Sequence, residues 1–398
     1  MKTPLVTLNL LHQQVRTSVT ILGVAFAILL IFMQLGFYGT AELSATTVYD
    51  ALDFDLLVRS RDYLCLTSTR SFSRYRLQDA LAHPAVASAA PVYIDWQLWR
   101  LAKGEEYYGD TEKRHYRRAI LVLAFNFNDR DLIFNSSPPH GQAPAPESLR
   151  KLADPNTVLV DTYTRKYFGR HNTGTQTELN NVAITVVGEF TIGPGLGADG
   201  LVVASDRTYT RLAGAEAVEQ PALGLIKLKP GAGGPAAVKE QLQNHLYSAH
   251  GDVEILTRKE VMEKERDYWL NRTPVGVIFK MGVAVAFLVG LIFVYQVIAT
   301  DITAHSAEYA TLKAMGYSSL YLSGVVLRQA AAFAVLGYVP GLLAALFLYW
   351  LGQRYEQILL FLTWKRAGGV LLLSMAMCSL SGLLAIHKVK ALDPADQF

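Results

Sequence analysis

Four stretches of this chain, residues 17–41, 281–300, 329–353 and 367–387, contain no Asp, Glu, Lys or Arg. Each has about the 20 residues or more that a helix needs to cross a hydrocarbon core about 30 Å thick. Charges bound every stretch: Arg16 and Glu42, Lys280 and Asp301, Arg328 and Arg354, Arg366 and Lys388. Such flanking side chains reach the headgroups while the apolar body stays in lipid. Four membrane spans are therefore expected. Composition agrees, with 51% hydrophobic residues and 18% charged, below the roughly one quarter charged that is usual in soluble domains. A net charge of +3, with basic residues scattered along the chain, leaves no electrostatic footprint for nucleic acid.

The first stretch is longer than the roughly 7–15 apolar residues of a secretory signal and lacks a small-residue cleavage site, so it reads as an uncleaved anchor. Lys2 and Arg16 precede it, and no Lys or Arg follows for residues 42–58, which favours cytoplasmic termini. The rule is not met everywhere. Arg258, Lys259, Lys264, Arg266 and Arg272 lie just outside the second span, and Arg354, Lys365 and Arg366 lie in the outer connection between the third and fourth.

The expected organisation is a cytoplasmic N-terminus (1–16), a first span (17–41), a periplasmic α+β domain of two subdomains (42–257), a stalk helix (258–280) and a second span (281–300). A cytoplasmic loop (301–319) leads to a third span (320–353, its core crossing from residue 329), an outer loop (354–366), a fourth span (367–387) and a cytoplasmic tail (388–398). In the inserted domain, strand patterns run over residues 55–58, 119–125, 157–160, 182–187, 200–204 and 223–228, and helical patterns over 75–82 and 235–247. Residues 223–257 read strand, helix, strand. The Pro- and Ser-rich segment 136–148 reads as an exposed loop, and GEFTIGPGLGADG at 188–200 as a long turn between strands.

Thr257 and Glu260 form a capping box, which places a helix start near Arg258. Val261 and Met262 recur seven residues later as Tyr268 and Trp269, a spacing suited to packing on one neighbouring helix, and Thr273-Pro274 is expected to kink this helix without ending it. If the helix runs on to Lys280, it extends roughly 30 Å at about 1.5 Å per residue. Residues 42–52, with Leu43, Thr47 and Leu52, are its expected partner. A surface helix of the domain that merely precedes the span is the competing reading.

Catalytic patterns are missing from the sequence. No G-x-x-x-x-G-K-S/T phosphate loop occurs, and GAGGPAAVK at 231–239 has the wrong spacing. The glycines of 193–200 lead toward a strand, and no His or Cys spacing suits zinc. His83, His115, His140, His171, His245 and His250 are dispersed, and the two cysteines, Cys65 and Cys378, are expected to be free thiols. Arg328 and Lys280 each stand either at the headgroups or within a longer span.

After the second span, residues 302–315 pair good helix formers with Tyr309, Leu312 and Met315 about a turn apart, flanked by His305, Glu308 and Lys313, and Gly316 stops the helix. Spacing alone leaves this segment either a helix lying in the headgroups or a docking element. Its residues add more. FKMG at 279–282, VYQV at 294–297 and EYATLKAMGY at 308–317 resemble the DevC-type ABC transporter permeases of cyanobacteria, within the MacB and FtsX-like group. The order of spans and domain, and the ending ALDPADQF, are similar throughout the chain.

The resemblance implies a permease subunit of a type VII transporter, not an enzyme, in the inner membrane and acting as a homodimer. It further implies that ATP and Mg are held by a separate DevA-like ATPase, which docks on the coupling helix formed by His305, Glu308, Tyr309, Leu312, Lys313, Met315, Gly316 and Tyr317. A DevB-like periplasmic adaptor would join the outer domain to a TolC-like channel, and the cargo would be lipid-like, with glycolipid the leading candidate. An FtsX-like regulator, which moves a periplasmic partner and transports nothing, is the alternative.

Overall fold

The structure is a computed structural model that describes residues 14–101, 117–193, 195–249, 251–304, 311, 315, 317–356 and 360–391. It divides into two compact units. One is Ala41–Thr273, and the other combines Met1–Thr40 with Pro274–Phe398.

The first span lies in helix α1 (Gln14–Ser44), after which a short helix α2 (Thr47–Ala51) leads into the inserted domain. The strands are β1 (Leu56–Ser60), β2 (Val86–Arg100), β3 (Arg117–Phe125), β4 (Thr157–Asp161), β5 (Gln176–Leu179), β6 (Val182–Phe190), β7 (Leu201–Ser205), β8 (Leu223–Leu228) and β9 (Val253–Thr257). The helices among them are α3 (Tyr75–Leu81), α4 (Arg130–Ile133), α5 (Pro146–Lys151), α6 (Asp206–Ala213) and α7 (Pro235–Ala249).

Among the described residues these strands form one sheet in the order β3-β7-β4-β6-β5-β2-β8-β1-β9, and a further β3–β2 pairing closes its first part on itself. Strand β2 belongs to both parts. Its residues Val92–Arg100 pair with β3, while Val86–Val92 pair with β8. In the closed part, alternate residues serve two cores: Ile120, Val122 and Ala124 enter one, Leu121, Leu123 and Phe125 the other. Burial on both faces is why such strands read as unbroken apolar runs.

In the open part, β1 lies between β8 and β9 and is antiparallel to both, the split βαβ arrangement. Helices α3 and α7 cover it through Leu77, Ala80, Val238 and Leu242. The strand–helix–strand expectation for residues 223–257 is met here. Strands β2 and β5 and helix α6 had no counterpart in the sequence reading.

The glycine-rich segment is a loop between β6 and β7, as expected, with Gly193, Gly195 and Gly197 all at positive φ. It closes over Asp161 at the end of β4. One carboxylate oxygen accepts from the Tyr163 amide (2.7 Å), and the other accepts from the Ile192 (2.9 Å) and Gly193 (2.7 Å) amides. Those donors favour the charged form, but burial outweighs them and pushes the Asp161 carboxyl from 3.8 up to about 6.

Past β9 come α8 (Arg258–Asp267), a π-helical turn (Tyr268–Arg272), and then α9 (Pro274–Ala304), α10 (Ser319–Glu356) and α11 (Trp364–Ala391). The single helix expected from Arg258 to Lys280 is not continuous. Thr273 is extended, with φ −102° and ψ 160°, because proline lacks an N–H and pushes the preceding residue out of helical geometry. The Thr273 amide instead donates to the Tyr268 carbonyl (3.1 Å), and its hydroxyl to that of Trp269 (2.6 Å).

Helices α1, α9, α10 and α11 are long and apolar enough to cross a membrane. Small residues let them approach closely, as in helix packing within lipid. Gly337 and Gly341 of α10 lie against Val24, Ile28 and the Ala25 carbonyl of α1. Polar side chains supply local ties: Gln329 donates to the buried Asp301 (3.0 Å), and the Ser381 hydroxyl to the Leu291 carbonyl (2.7 Å). Arg328, next to Gln329, is exposed. Lys280 stands 5.7 Å over the Tyr38 ring.

The raised Asp161 pKa carries a pH signature. A carboxyl raised in the folded state contributes stability that is present below 3.8 and lost as pH rises through about 6. The stability of the full chain relative to Asp161→Asn should therefore fall by roughly 2–3 kcal/mol between about pH 4 and pH 7. Unfolding midpoints measured across that range would refute this if the difference stayed constant.

Candidate functional site: a buried carboxylate clasp

The expected capping box is formed. The Thr257 amide donates to Glu260 (2.8 Å), and the Glu260 amide returns to the Thr257 hydroxyl (3.4 Å). The Glu260 carboxylate also pairs with Lys239 of α7. Helix α8 starts at this cap and buries Val261, Met262 and Glu265. Val261 and Met262 do not face a single neighbouring helix. They join the larger core of the domain, together with Val48, Tyr49, Leu52 and strand residues such as Leu57.

Glu265 is 1% exposed. One of its oxygens accepts from the Leu66 amide (3.0 Å) and the Trp269 indole (3.2 Å), and the other from the Tyr49 hydroxyl (3.1 Å). The Tyr49 proton is thereby committed, so in the 2.6 Å contact between the two tyrosines Tyr63 donates to Tyr49. Burial raises the Glu265 carboxyl above the usual carboxylate range, although these donors and the charge of Arg59 act in the other direction. The Tyr49 and Tyr63 hydroxyls are raised well above theirs, again chiefly by burial.

A second layer of charge surrounds this carboxylate. The Arg59 guanidinium lies 4.7 Å over the Tyr63 ring and pairs with Glu254 (2.7 Å), whose other oxygen holds Lys264 (2.7 Å). At the start of α8, Arg258 donates to the Tyr49 (3.1 Å) and Leu52 carbonyls and stacks 4.3 Å over Phe54. A cation at the C-terminal end of α2 meets the carbonyls exposed there and is favoured by the helix dipole.

The glycine-rich loop completes the clasp. The Leu196 amide donates to the Ser44 carbonyl at the end of α1 (3.1 Å). A side chain at Gly197, where φ is +88°, would sit 2.8 Å from the Trp269 ring. Tyr268 packs edge-on to Trp269 (5.5 Å), and the nearby Cys65 is buried. Leu52 and Thr47 are buried in this region, and Leu43 is half-buried.

The site therefore joins four pieces of chain: residues 44–54 after the first span, residues 59–68 from the end of β1, the glycine-rich loop at 195–197, and residues 258–269 ahead of the second span. Sequence reading singled out Thr257, Glu260, Val261, Met262, Tyr268 and Trp269 but not Glu265, Tyr49 or Tyr63. The available signal was position. Glu265 lies four residues after Val261 and four before Trp269, on the same stripe of the helix.

Of the proposed docking residues, His305, Glu308, Tyr309, Leu312, Lys313 and Gly316 lie outside the described residues. Met315 and Tyr317 are described and exposed; the Met315 amide donates to the Thr311 carbonyl (2.9 Å), and the Tyr317 ring lies 5.2 Å from that of Tyr321. Among the described residues no group of three or more His, Cys, Asp or Glu side chains could hold a metal ion.

Four apolar helices, with an inserted domain of mixed sheet after the first, define a multi-pass membrane protein of the permease class. The MacB-like periplasmic core domain family matches residues 17–245, more than half of the chain, and the FtsX-like permease C-terminal family matches residues 280–394. The chain belongs to the MacB/FtsX-like permeases of type VII ABC transporters. A search of curated proteins found no match.

Among solved structures, the periplasmic region of MacB from Actinobacillus actinomycetemcomitans is similar at 10% identity and a TM-score of 0.36, covering 53% of this chain and 92% of that one. The extracellular domain of the noncanonic ABC-type transporter YknZ from Gram-positive bacteria is similar at 9% identity and 0.32, covering 51% and 99%. A permease domain from Porphyromonas gingivalis is similar at 15% and 0.32, covering 52% and 89%.

Removing the acceptor should expose the clasp energetically. Glu265→Ala leaves three buried donors unpaired and should cost roughly 3–5 kcal/mol, whereas Glu265→Gln, which retains one acceptor oxygen, should cost roughly 1–2 kcal/mol. Denaturant unfolding followed by tryptophan fluorescence measures both. Equal small losses would show that the carboxylate does not hold the three segments.

Proposed function

We propose that this chain is the permease subunit of a DevC-type, MacB-like tripartite exporter that passes the motion of a partner ATPase to its periplasmic domain. The observation that carries this reading is the clasp. One buried carboxylate ties the segment leaving the first span to the segment entering the second, and both to the core of the inserted domain. A soft linker would dissipate a displacement of either span. A satisfied buried network transmits it, because every member that moves must carry its partners or leave a polar group unpaired.

In this reading the termini are cytoplasmic, and a DevA-like ATPase that holds ATP and Mg docks on residues 301–319. Closure of the ATPase dimer draws the coupling segments of two permease copies together. The spans carry the movement to Tyr49 and Glu265, and the domains reshape to expel a lipid-like cargo through a DevB-like adaptor and a TolC-like channel. The break at Thr273 alters the mechanism expected from an unbroken stalk. Movement passes into the domain at the clasp and not along one rigid rod.

Two substitutions test the proposal. Leu312→Asp or Tyr309→Asp should abolish co-purification of the ATPase while leaving membrane insertion intact; retained association would remove residues 301–319 as the docking element. Glu265→Gln should leave ATP turnover of the assembled complex within about twofold and lower export by about tenfold, equivalent to about 1.4 kcal/mol of lost coupling. Normal export would exclude the clasp as the transmission point. Failure of any adaptor or outer-membrane channel to co-purify would favour the FtsX-like regulator.

A further inference from the structure

At the end of the helical unit where α1 leaves for the inserted domain, the connection from α10 to α11 carries cations that no described carboxylate neutralises. Arg354 and Lys365 are exposed and Arg366 is half-buried, and none has an ion pair among the described residues. Lys365 and Arg366 lie in the first turn of α11, which contains no acidic residue. Like charge is unfavourable there, because the helix dipole already places positive charge at that end.

Of the three, Arg366 is held in place. The Arg366 guanidinium donates to the Phe361 carbonyl (3.0 Å) and fills the space over Gly39 of α1, where any side chain would collide with it. The Arg366 amide donates to the Thr363 hydroxyl (3.3 Å), and Gln353 ties back to the carbonyl of the buried Leu360. Large aromatic residues flank the three cations in the sequence and are uncovered. Trp364 is 94% exposed, and Trp350, Tyr355 and Phe361 are also exposed. Amphipathic rings of this kind mark the headgroup level of a bilayer.

Cations that share the ends of apolar helices with exposed aromatic residues match one chemistry: a phosphate monoester or diester anion attached to acyl chains. We propose that Arg354, Lys365 and Arg366 form a site for an anionic phospholipid headgroup in the leaflet on the side of the inserted domain. The acyl chains lie along the exposed apolar side chains of α10, and the phosphate rests between Lys365 and Arg366. The site accounts for three basic residues on a side that the distribution of Lys and Arg would otherwise leave poor in them.

The test uses the full chain in nanodiscs with equal dioleoylphosphatidylglycerol and dioleoylphosphatidylcholine, with retained lipid counted by native mass spectrometry after release into detergent. The wild type should retain phosphatidylglycerol preferentially. Replacing exposed Arg354 and Lys365 together with Gln should weaken that preference about fivefold per charge. A parallel sample with inorganic phosphate should not displace the lipid; displacement would identify a free-phosphate site and overturn the lipid assignment. Equal retention of the two lipids by the wild type, or unchanged preference in the double variant, would also overturn it. Salt supplies a check that needs no variant, since raising it to about 0.5 M should reduce the preference of the wild type.

Discussion

A carboxylate out of water is tolerated only where hydrogen-bond donors replace its hydration, and Glu265 obtains them from residues far apart in sequence. Tyr49 follows the first span, Leu66 follows β1, and Trp269 precedes the second span. None can shift alone without leaving a buried polar atom unpaired. The requirement of one side chain thus fixes where residues 44–54 and 258–269 meet within the inserted domain. Arg258 adds a second tie by holding the Tyr49 and Leu52 carbonyls. The geometry of the junction follows from satisfying polar groups, with apolar packing by Val261 and Met262 beneath it.

The helical unit solves a different problem. Its helices satisfy their own backbones, as lipid requires, so the packing between them is set by shape. Glycines at 337 and 341 bring α10 against α1, and Gly39 leaves room for Arg366. Polar side chains buried among these helices are locally paired: Asp301 with Gln329, and Ser381 with the Leu291 carbonyl. The helices hold together by close fit and a few polar ties, whereas the inserted domain is held by continuous apolar cores.

Much of this architecture was legible because it rests on local rules. Charge-free runs of membrane length gave the four spans, and the capping box at Thr257 and Glu260 gave the start of α8. Strands buried on both faces, such as β7 and β8, stood out as apolar runs. Strand β2 did not. It serves two parts of the sheet, carries Pro91 within it, and pairs Asp95 with Gln97 on one face while Trp96 and Leu98 are exposed on the other. No single period describes such a strand. Glu265 was hidden for a related reason: a glutamate in a polar helix reads as solvated, and only the return of Tyr49 and Leu66 across the fold buries it.

Thr273 shows how local chemistry then limits the mechanism. A continuous helix would make the second span and α8 one rigid body, and bending stiffness alone would carry force. The proline at 274 removes that route, and the π turn before it ends on hydrogen bonds from Thr273 to Tyr268 and Trp269. Trp269 also donates to Glu265 and lies against Gly197 of the loop that contacts Ser44. The residue that terminates the helix is therefore bonded to a member of the clasp. In the proposed mechanism, a change at the break alters Trp269 first, then the Glu265 carboxylate, and through Tyr49 the segment leaving the first span. In that mechanism the shared carboxylate couples the two spans, and the glycine at 197 matters because any side chain there would displace the indole that completes the clasp.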